Sequence, residues 1–370
     1  MRRVLIVATV GGFVTQFEQN NLDILRELGY EIHYAANFSN TIYEIDYEAL
    51  KKRNVIIHDL PIEKEVKKLS SHRRNIKELA KLIDELDIYL VHCHTPVGSV
   101  IGRMAARKSK RRPYVIYTAH GFHFYKGCPL SNKIFYPVER FLSRYTDCLV
   151  TINEEDYKAA RKFRKKLKVV KIPGVGVDTD RFVPLETERN EQEFNLITIG
   201  EINRNKNHEV VLRALSLIKD RNIRYTIYGK GELTEYLNGL IKNLGLEDRV
   251  VIKGYCLKPE DVLPTADAFV FPSIREGLGM AALEAMSCGI PVIALDNRGT
   301  REYMRDGVNG FVCKVNTPEA FASAIIRIDD NMYFDRKVVS VEARNTAKKF
   351  SVSNTGKIMR SVYEGVKRKR

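Results

Sequence analysis

Short apolar runs alternate with longer amphipathic segments over most of this 370-residue chain. In the first half, seven runs are candidate strands: 4–10, 31–36, 55–58, 88–92, 114–118, 148–151 and 169–172. Segments with a helical period lie between them, at 17–28, 71–86, 97–108, 132–144 and 154–165. Continuous β-branched runs separated by helices are typical of parallel strands that are covered on both faces. The pattern therefore predicts an α/β fold with a doubly wound sheet.

The alternation stops once and then starts again. Around 173–192 the periodicity fails and Pro, Gly and Asp accumulate, which is typical of a linker. Six further candidate strands follow, at 195–199, 224–228, 250–252, 268–271, 292–294 and 310–313. We predict two Rossmann-like doubly wound domains, with a ligand crevice between the carboxyl ends of their sheets. The predicted boundaries are 1–173, a linker at 174–192, 193–345, and a C-terminal helix at 346–370 that packs back towards the first domain.

Residues 267–294 have the strongest functional pattern. They predict a buried strand, a glycine loop, a short helix over 280–288 and a second buried strand. Gly277 and Gly279 remove side chains where the first N–H groups of the helix are unpaired, which favours an anion site. Glu276 and Glu284 lie on either side of that helix start, and carboxylates beside a phosphate are expected to accept hydrogen bonds from hydroxyl groups. Phosphate together with a polyol indicates a sugar phosphate or a nucleotide sugar.

Two more loops follow strands of the second domain and are expected at the same edge. Arg204 and Lys206 lie in the turn 200–208, where a cation next to a helix start suits a pyrophosphate. An alternative is a solvated turn. Tyr255, in the loop 254–256, offers a ring to a nucleobase.

The net charge is +15 and is unevenly distributed. Residues 1–172 hold 31 Lys and Arg against 19 Asp and Glu, and the basic residues cluster at 103–112 and 158–168. Attraction to anionic lipid headgroups would explain these clusters, and solvated helix ends are the alternative. No run approaches the ~20 apolar residues of a membrane span. The apolar run after Met1 is expected to be a buried strand and not a signal peptide. The six cysteines are scattered and form no Cys-x-x-Cys pair, which predicts reduced thiols in a cytoplasmic protein.

The motif Phe271-Pro272-Ser273, followed by the two glutamates eight positions apart and by Gly289-x-Pro291, resembles the signature of glycosyltransferase family 4. Further matching pieces are spread over the chain: Gly11-Gly12, Thr118-Ala119-His120-Gly121, Gly176-Val177-Asp178 and Asp306-Gly307-x-Asn309-Gly310. The resemblance implies the GT-B architecture, in which two Rossmann-like domains face a central cleft. It also implies retaining, nucleotide-sugar-dependent transfer. The aromatic stretch 117–127 looks like that of the subgroup that builds bacterial surface polysaccharide.

The resemblance also implies residue roles on the donor side. Glu276 would contact the hydroxyls of the transferred sugar, Glu284 would hold the ribose hydroxyls, and Lys206 would neutralise the diphosphate. The backbone N–H groups that face sugar and diphosphate would belong to Gly277, Leu278 and Gly279.

In the first domain, His120 matches the histidine that reaches the reacting sugar, and Gly12 lies at the boundary between donor and acceptor. One position departs from the family: Glu201 stands where the family has arginine, and Arg204 is predicted to supply the missing cation. A core histidine satisfied by the backbone is the alternative reading of His120.

No metal and no cofactor are expected. No isolated Asp-x-Asp motif of the kind other sugar transferases use is present, and His92 and His94 have no carboxylate beside them in the sequence. The leaving diphosphate would then be neutralised by Lys206, Arg204 and the N–H groups after Glu276.

The sequence thus predicts a retaining, metal-independent transfer of a hexose or N-acetylhexosamine in polysaccharide biosynthesis. The donor would be a nucleotide sugar, with UDP as the expected nucleotide, and the acceptor a glycan on a polyprenyl diphosphate. The enzyme would lie peripherally at the inner face of the cell membrane and bind no nucleic acid. Two alternatives are a nucleotide-sugar epimerase of similar architecture and a basic nucleic-acid-binding protein. A dehydrogenase would need G-x-G-x-x-G after a strand, which Gly11-Gly12 does not supply.

Overall fold

A computed structural model describes residues 1–39, 44–63, 65, 68–185, 193–330 and 335–367. The chain divides into two compact units. The first unit comprises Met1–Val175 and Ser353–Arg370, and the second comprises Gly176–Val352. Each unit is built around one sheet whose pairings are all parallel.

The first unit has a seven-stranded sheet in the order β3-β2-β1-β4-β5-β6-β7. Its strands are β1 (Arg2–Val10), β2 (Tyr30–Asn37), β3 (Ile56–Asp59), β4 (Leu90–Cys93), β5 (Tyr114–Ala119), β6 (Cys148–Thr151) and β7 (Lys168–Lys171). Its helices are α1 (Phe13–Phe17), α2 (Gln19–Glu27), α3 (Tyr47–Lys52), α4 (Leu69–Glu85), α5 (Pro96–Lys108), α6 (Phe135–Leu142) and α7 (Glu154–Ala160). Short 3₁₀ turns, Leu130–Ile134 and Ser143–Tyr145, flank α6.

The second unit has a six-stranded sheet in the order β10-β9-β8-β11-β12-β13. Its strands are β8 (Phe194–Ile199), β9 (Ile223–Tyr228), β10 (Val250–Ile252), β11 (Ala268–Phe271), β12 (Val292–Leu295) and β13 (Gly310–Cys313). Its helices are α8 (His208–Leu217), α9 (Thr234–Leu244), α10 (Pro259–Val262), α11 (Met280–Ser287), α12 (Pro318–Asp329) and α13 (Arg336–Lys349). The last helix of the chain, α14 (Val352–Glu364), lies in the first unit from Ser353 onward.

Both sheets reverse their strand order beside their first strand. β1 pairs with β2 on one side and β4 on the other, and β8 pairs with β9 and β11 in the same way. At such a point the two neighbouring connections leave in opposite directions and open a crevice at the carboxyl ends of the strands. In the first unit the loops after β1 and β4 lie there, and in the second unit the loops after β8 and β11 do. The predicted α/β class with doubly wound sheets is confirmed.

The prediction of one continuous helix over 17–28 is wrong, and the difference matters for the site. The structure has two helices, α1 and α2, with Glu18 between them in a non-helical conformation (φ −125°, ψ 14°). Its side chain is only 2 % exposed, although Glu is a polar residue. In the sequence, Glu18 shares a helical spacing with the buried Leu22 and Leu25, so its side chain points into the protein with theirs.

The C-terminal helix predicted at 346–370 begins later than predicted, because α13 and α14 are separate helices. Helix α13 ends before Phe350, because Val177 forms a short parallel bridge with the chain around Ser351. Val177 N donates to Phe350 O at 2.8 Å, and Val352 N donates to Val177 O at 2.9 Å. Gly176 is required beside this bridge: its φ is +97°, and a Cβ would lie 2.6 Å from Val352 Cα. The helices predicted at 132–144 and 154–165 are shorter than predicted, since their ends form 3₁₀ or irregular turns.

The unit boundaries differ from the predicted linker at 174–192. The second unit begins at Gly176, and Phe182 is buried with its carbonyl oxygen accepting hydrogen bonds from Ser287 and Arg344. Residues 176–185 are therefore part of the second unit, because they supply core contacts. Residues 186–192 lie outside the described residues. The second unit extends to Val352, beyond the predicted end at 345.

None of the helices that the structure describes is both long and apolar enough to span a lipid bilayer.

Candidate active site

The loop between β11 and α11 has the backbone that the sequence predicts. Gly279 precedes α11 with φ +98°, and a Cβ there would lie 2.7 Å from a ring carbon of Phe271. Only glycine fits this position. Among the residues that the structure describes, no side chain caps the start of α11, so the N–H groups of its first turn have no side-chain acceptor there. A helix start of this kind, which follows Gly277 and Leu278, binds anions well.

Lys206 and Glu276 form an ion pair. Lys206 Nζ lies 2.7 Å from Glu276 Oε1, and the two side chains are 23 % and 16 % exposed. The ammonium group also lies 5.3 Å from the centroid of the Phe271 ring. An ammonium has three N–H groups and a carboxylate has two oxygens, so this one bond leaves both residues able to bind a ligand. A cation and a carboxylate are thus held side by side, next to the start of α11.

Two asparagines fix the loop that carries Lys206 to the loop that carries Glu276. Asn205 bonds three times across this gap: its O accepts from Ile274 N at 2.8 Å, its Nδ2 donates to Arg275 O at 2.9 Å, and its Oδ1 accepts from Arg275 N at 3.2 Å. Asn207 Nδ2 donates to Pro272 O at 3.1 Å. These contacts set the distance between cation and carboxylate. The sequence analysis missed both asparagines, since partners about 70 residues away leave no local pattern.

The loop after β12 supports the same glutamate. Arg298 Nε donates to the backbone oxygen of Glu276 at 3.2 Å, and Asn297 Nδ2 donates to Ser273 O at 2.8 Å. Both side chains are buried. Gly299 permits the close approach, because a Cβ there would lie 2.9 Å from Leu278 O. The Glu276 loop is therefore held from two sides, by the loops after β8 and β12.

Glu284 lies on α11 and has a shifted pKa. Burial raises the pKa of its carboxyl to about 7, while the Arg181 guanidinium lowers it in part. Arg181 itself pairs with Glu260 at 2.7 Å. Tyr255 lies in the loop just before Glu260 and is 57 % exposed, so its ring is available for stacking. The carboxyl of Glu284 on α11 and the ring of Tyr255 before α10 are thus both available to a ligand of the second unit.

Arg204 is exposed, as is Glu201. We find no ion pair or hydrogen bond of the Arg204 side chain among the described residues. Its guanidinium is free to reach a ligand, so Arg204 as the replacement for the family arginine remains a prediction.

In the first unit, the loop after β1 is held tightly. The hydroxyl of Tyr34 donates to Val10 O at 2.8 Å and to Gly11 O at 3.0 Å. A Cβ on Gly11 would lie 2.8 Å from the Phe38 ring. Gly12 begins α1, and its carbonyl oxygen accepts from Gln16 N at 3.1 Å. The backbone at Gly11 and Gly12 therefore has a fixed course beside the switch point of this sheet.

His120 follows β5 and meets two buried partners. Its Nε2 lies 3.2 Å from His94 Nδ1 and 3.4 Å from Glu18 Oε1, and the same Glu18 oxygen lies 3.4 Å from His94 Nδ1. The imidazole of His120 is 22 % exposed, whereas His94 and Glu18 are almost fully buried. The expectation that no carboxylate accompanies the histidines is wrong, because the chain brings Glu18 to them from the junction of α1 and α2. A glutamate at an apolar helical position was the signal in the sequence.

The protonation of these three groups follows from burial. Burial raises the pKa of the Glu18 carboxyl to about 8, and the hydrogen bond from Asn21 offsets only part of this. Burial lowers the pKa of His120 to about 4. The pKa of His94 is lowered well below its usual range by burial and by its histidine neighbours. At neutral pH both imidazoles are uncharged and the carboxyl is protonated.

Glu18, His94 and His120 also offer the atom types that bind Zn²⁺, within 4.8 Å of one another. Their ring orientation favours a hydrogen bond instead. The two imidazole centroids lie 5.6 Å apart, about as far as their N···N distance of 3.2 Å permits. The two nitrogens therefore point straight at each other. Imidazoles that share a metal point towards a third position, which brings their centroids closer together.

Both halves of the chain match models of glycosyltransferases. Residues 182–345 match the family described as "Glycosyl transferases group 1", and residues 3–153 match "Glycosyl transferase 4-like". A putative glycosyltransferase of Bacillus subtilis, EpsD, is 38 % identical over 98 % of this chain and 96 % of its own length.

More distant similarities agree. The UDP-Gal:alpha-D-GlcNAc-diphosphoundecaprenol alpha-1,3-galactosyltransferase of Escherichia coli is 28 % identical over 75 % of this chain and 74 % of its own. The crystal structure of Anabaena Alr3699/HepE in complex with UDP and glucose superposes with a TM-score of 0.78 at 18 % identity, over 98 % of this chain and 100 % of that one. The fold is thus that of the GT-B glycosyltransferases, and the chain belongs to glycosyltransferase family 4, the group 1 glycosyl transferases.

Proposed function

We propose that the protein moves a hexose or N-acetylhexosamine from a UDP-sugar to a glycan carried on a polyprenyl diphosphate, with retention at the anomeric carbon. The observation that carries this proposal is the Lys206–Glu276 ion pair beside the uncapped start of α11. A cation and N–H donors lie next to a carboxylate there, which supports a diphosphate and sugar hydroxyls as the ligands. Such a transfer would serve polysaccharide biosynthesis.

The leaving diphosphate would be neutralised by protein groups. Lys206 uses one N–H on Glu276 and keeps two for phosphate oxygens, and the N–H groups at the start of α11 face the same charge. Stabilisation of charge that develops during departure is the largest catalytic effect to expect here. Each charge-assisted hydrogen bond contributes roughly 1.5–3 kcal/mol. If one such hydrogen bond forms only in the transition state, it raises the rate by ~10- to 100-fold. Arg204, exposed on the same loop, would add a further cation, so no metal is required.

The transfer itself would proceed on one face of the sugar. The acceptor hydroxyl oxygen forms a bond to the anomeric carbon as the bond to the leaving phosphate oxygen breaks. The acceptor proton passes to that phosphate oxygen, and the free oxygen of Glu276 holds sugar hydroxyls in position. His120 would contact the reacting sugar from the first unit, next to the backbone of Gly12.

The nucleoside would bind at the other end of α11. Glu284 would accept hydrogen bonds from the ribose hydroxyls, and Tyr255 would stack on the base. A UDP donor is supported by HepE, which was crystallised with UDP and glucose, and by the E. coli relative, whose name specifies UDP-Gal. A polyprenyl diphosphate acceptor is supported by the same E. coli relative and by a Campylobacter jejuni relative that is named for a diphospho-undecaprenol substrate.

A lipid-linked acceptor requires access to a membrane, and the first unit has a suitable surface. Four apolar side chains lie exposed at helical spacing along the 3₁₀ turn and α6: Leu130 (79 %), Ile134 (65 %), Val138 (42 %) and Phe141 (48 %). We call these four residues the apolar stripe. An exposed apolar face of this kind on a helix is typical of segments that lie in the membrane interface.

The charges around the apolar stripe select an anionic surface. Lys133, Arg140 and Arg144 are exposed on the same segment, and its acidic residue, Glu139, pairs with the buried Arg103 at 2.8 Å. Arg103 therefore does not belong to the basic surface that the sequence predicts at 103–112, because this buried ion pair removes it. We propose that the apolar stripe inserts into an anionic bilayer, at the inner face of the cell membrane.

The function is tested by transfer itself. Incubation with UDP-sugars and a polyprenyl-diphosphate-linked monosaccharide is expected to yield a lipid-linked disaccharide with an α-linkage, in the presence of EDTA. NMR of the product gives the anomeric configuration. A β-linked product would contradict retention, and release of an altered sugar without acceptor would indicate an epimerase.

The ion pair is tested by substitution. Lys206→Ala and Glu276→Ala are each expected to lower kcat/KM by tenfold or more, because one removes the cation for the diphosphate and the other the acceptor for sugar hydroxyls. The matched control is Lys219→Ala, a lysine outside the site loops. Thermal unfolding checks that each variant is folded. Near-normal turnover in either site variant would contradict its assignment.

The raised pKa of Glu284 predicts a pH dependence of donor binding. A carboxyl with a pKa of about 7 is protonated below that pH and ionised above it. The ionised form is the better acceptor for two ribose hydroxyls, so the affinity for a UDP-sugar is expected to fall as the pH is lowered from 8 to 6. Titration calorimetry measures this dependence. In Glu284→Gln the affinity should be weaker and nearly constant with pH, and an unchanged pH slope in that variant would exclude Glu284 as its source.

The membrane surface is tested with vesicles of phosphatidylglycerol and phosphatidylcholine. Each apolar side chain that leaves water contributes roughly 1.5 kcal/mol or more. The double variant Ile134→Glu and Phe141→Glu is therefore expected to bind the vesicles at least tenfold more weakly. The double variant Val338→Glu and Val341→Glu makes the same change in charge at two residues of the second unit that are 57 % and 58 % exposed, and should bind like the wild type. Equal loss in both variants would mean that charge alone controls binding.

A further inference from the structure

Glu18 is a buried carboxyl group for which the proposed reaction has no role. It lies between α1 and α2, directly after the glycine loop of β1, and its side chain is 2 % exposed. Its Oε2 accepts a hydrogen bond from Asn21 Nδ2. Its Oε1 faces His94 Nδ1 and His120 Nε2, at 3.4 Å from each. A carboxyl group is costly to bury, so its position against two imidazoles calls for a function.

The contact between His94 and His120 has a preferred direction. His94 Nε2 is buried and has no hydrogen-bond partner among the described residues. If the His94 proton were on Nε2, a buried N–H would be unsatisfied, which proteins rarely tolerate. The proton therefore lies on His94 Nδ1, and this N–H donates to His120 Nε2 at 3.2 Å.

The tautomer of His120 follows. Its Nε2 is an acceptor, and a neutral imidazole has one proton, so that proton lies on Nδ1. Oε2 of Glu18 already accepts from Asn21, which leaves the carboxyl proton on Oε1, on the side of the two imidazoles. A protonated Oε1 cannot attract a proton from His120 Nε2. Both neighbours thus favour the same tautomer.

We infer that Glu18 and His94 are positioning residues for His120, and that they hold it as the Nδ1–H tautomer with the donor nitrogen directed away from the buried cluster. This rests on the proposed function, in which His120 contacts the transferred sugar. A fixed N–H then donates to a sugar hydroxyl, and no reorientation is needed during the reaction.

The proton on Glu18 controls the arrangement. Once ionised, Oε1 becomes a strong acceptor and draws N–H groups from both imidazoles. The proton of His120 then moves to Nε2, and Nδ1 turns from donor to acceptor. Since burial raises the pKa of Glu18 to about 8, the change is expected on the alkaline side of neutrality.

The other titratable groups around this cluster do not titrate in the same range. They are His92 on β4, Tyr34 on β2 and Tyr363 on α14. Burial lowers the pKa of His92 to about 3. Burial raises the pKa of Tyr34 and that of Tyr363 far above neutrality, and the Glu18 charge adds to both shifts. Between pH 6 and pH 10, Glu18 is the group of this cluster that changes its charge.

The first test reads the tautomer directly. Long-range ¹H–¹⁵N NMR spectra of the full chain, labelled with ¹⁵N-histidine, distinguish Nδ1–H from Nε2–H, and His120→Gln assigns the signal. Wild type is expected to show Nδ1–H at pH 6.5 and Nε2–H near pH 10. Glu18→Gln, whose amide nitrogen faces the His120 Nε2 acceptor and does not titrate, should show Nδ1–H at both pH values. Nε2–H in the wild type at pH 6.5, or no change up to pH 10, would overturn the inference.

The second test reads the reaction. Glu18→Ala is expected to lower kcat/KM at pH 7 by about tenfold. Glu18→Gln should stay within about threefold of the wild type and lack the alkaline decline that is expected of the wild type near pH 8. In a His120→Ala background, Glu18→Ala should add less than about twofold, because it acts through the imidazole. A full additive loss there would mean a structural role and would overturn the inference.

The two tests separate the inference from the proposed function. NMR detects the tautomer without any transfer. If the spectra are as expected but His120→Ala keeps full activity, the proposed contact of His120 with the sugar is wrong. The hydrogen bonds that hold the His120 tautomer would still be established.

Discussion

The reversal of strand order beside the first strand of each sheet is the constraint on which the candidate site depends. Parallel strands need helices on both faces, and the chain can change faces only where the order reverses. In the second unit this places the loops after β8 and β11 next to each other, so that Lys206 meets Glu276. In the first unit it places the glycine loop after β1 beside His94. No single loop makes the site, because each residue needs a neighbouring strand to bring its partner.

Backbone hydrogen bonds from side chains then fix the details. Asn205 and Arg298 hold the Glu276 loop through its main chain, from opposite neighbours. The side chains that position the Lys206–Glu276 pair are therefore separate from the pair itself, and they do not need to bind a ligand. Both side chains of the pair are partly exposed. An isolated ion pair in such a position adds little stability and would not by itself hold the two loops in place.

The sequence predicted the fold class and the positions of the strands, because hydrophobic periodicity is a local signal. The roles it assigns to residues of the donor loops stay predictions. The sequence did not predict the features that depend on contacts between residues far apart in the chain. Glu18 contacts two histidines that lie about 75 and 100 residues further along, and the local pattern predicts one continuous helix over 17–28. The end of α13 depends on Val177, more than 170 residues earlier. Asn205 shows the same limit, since its role is defined by the backbone of a loop in another part of the chain.

The last helix has a consequence for how the protein is made. Tyr363 lies 3.0 Å from His92 Nδ1, Thr355 donates to Gly174 O at 3.1 Å, and Tyr89 donates to Val366 O at 3.3 Å. The first unit is therefore completed by a segment that is synthesised after the whole second unit. During synthesis the second unit is complete earlier, although it follows the first in the sequence. Domains generally fold in order from the amino terminus, but here Nδ1 of His92 on β4 lacks its Tyr363 partner until α14 has been synthesised.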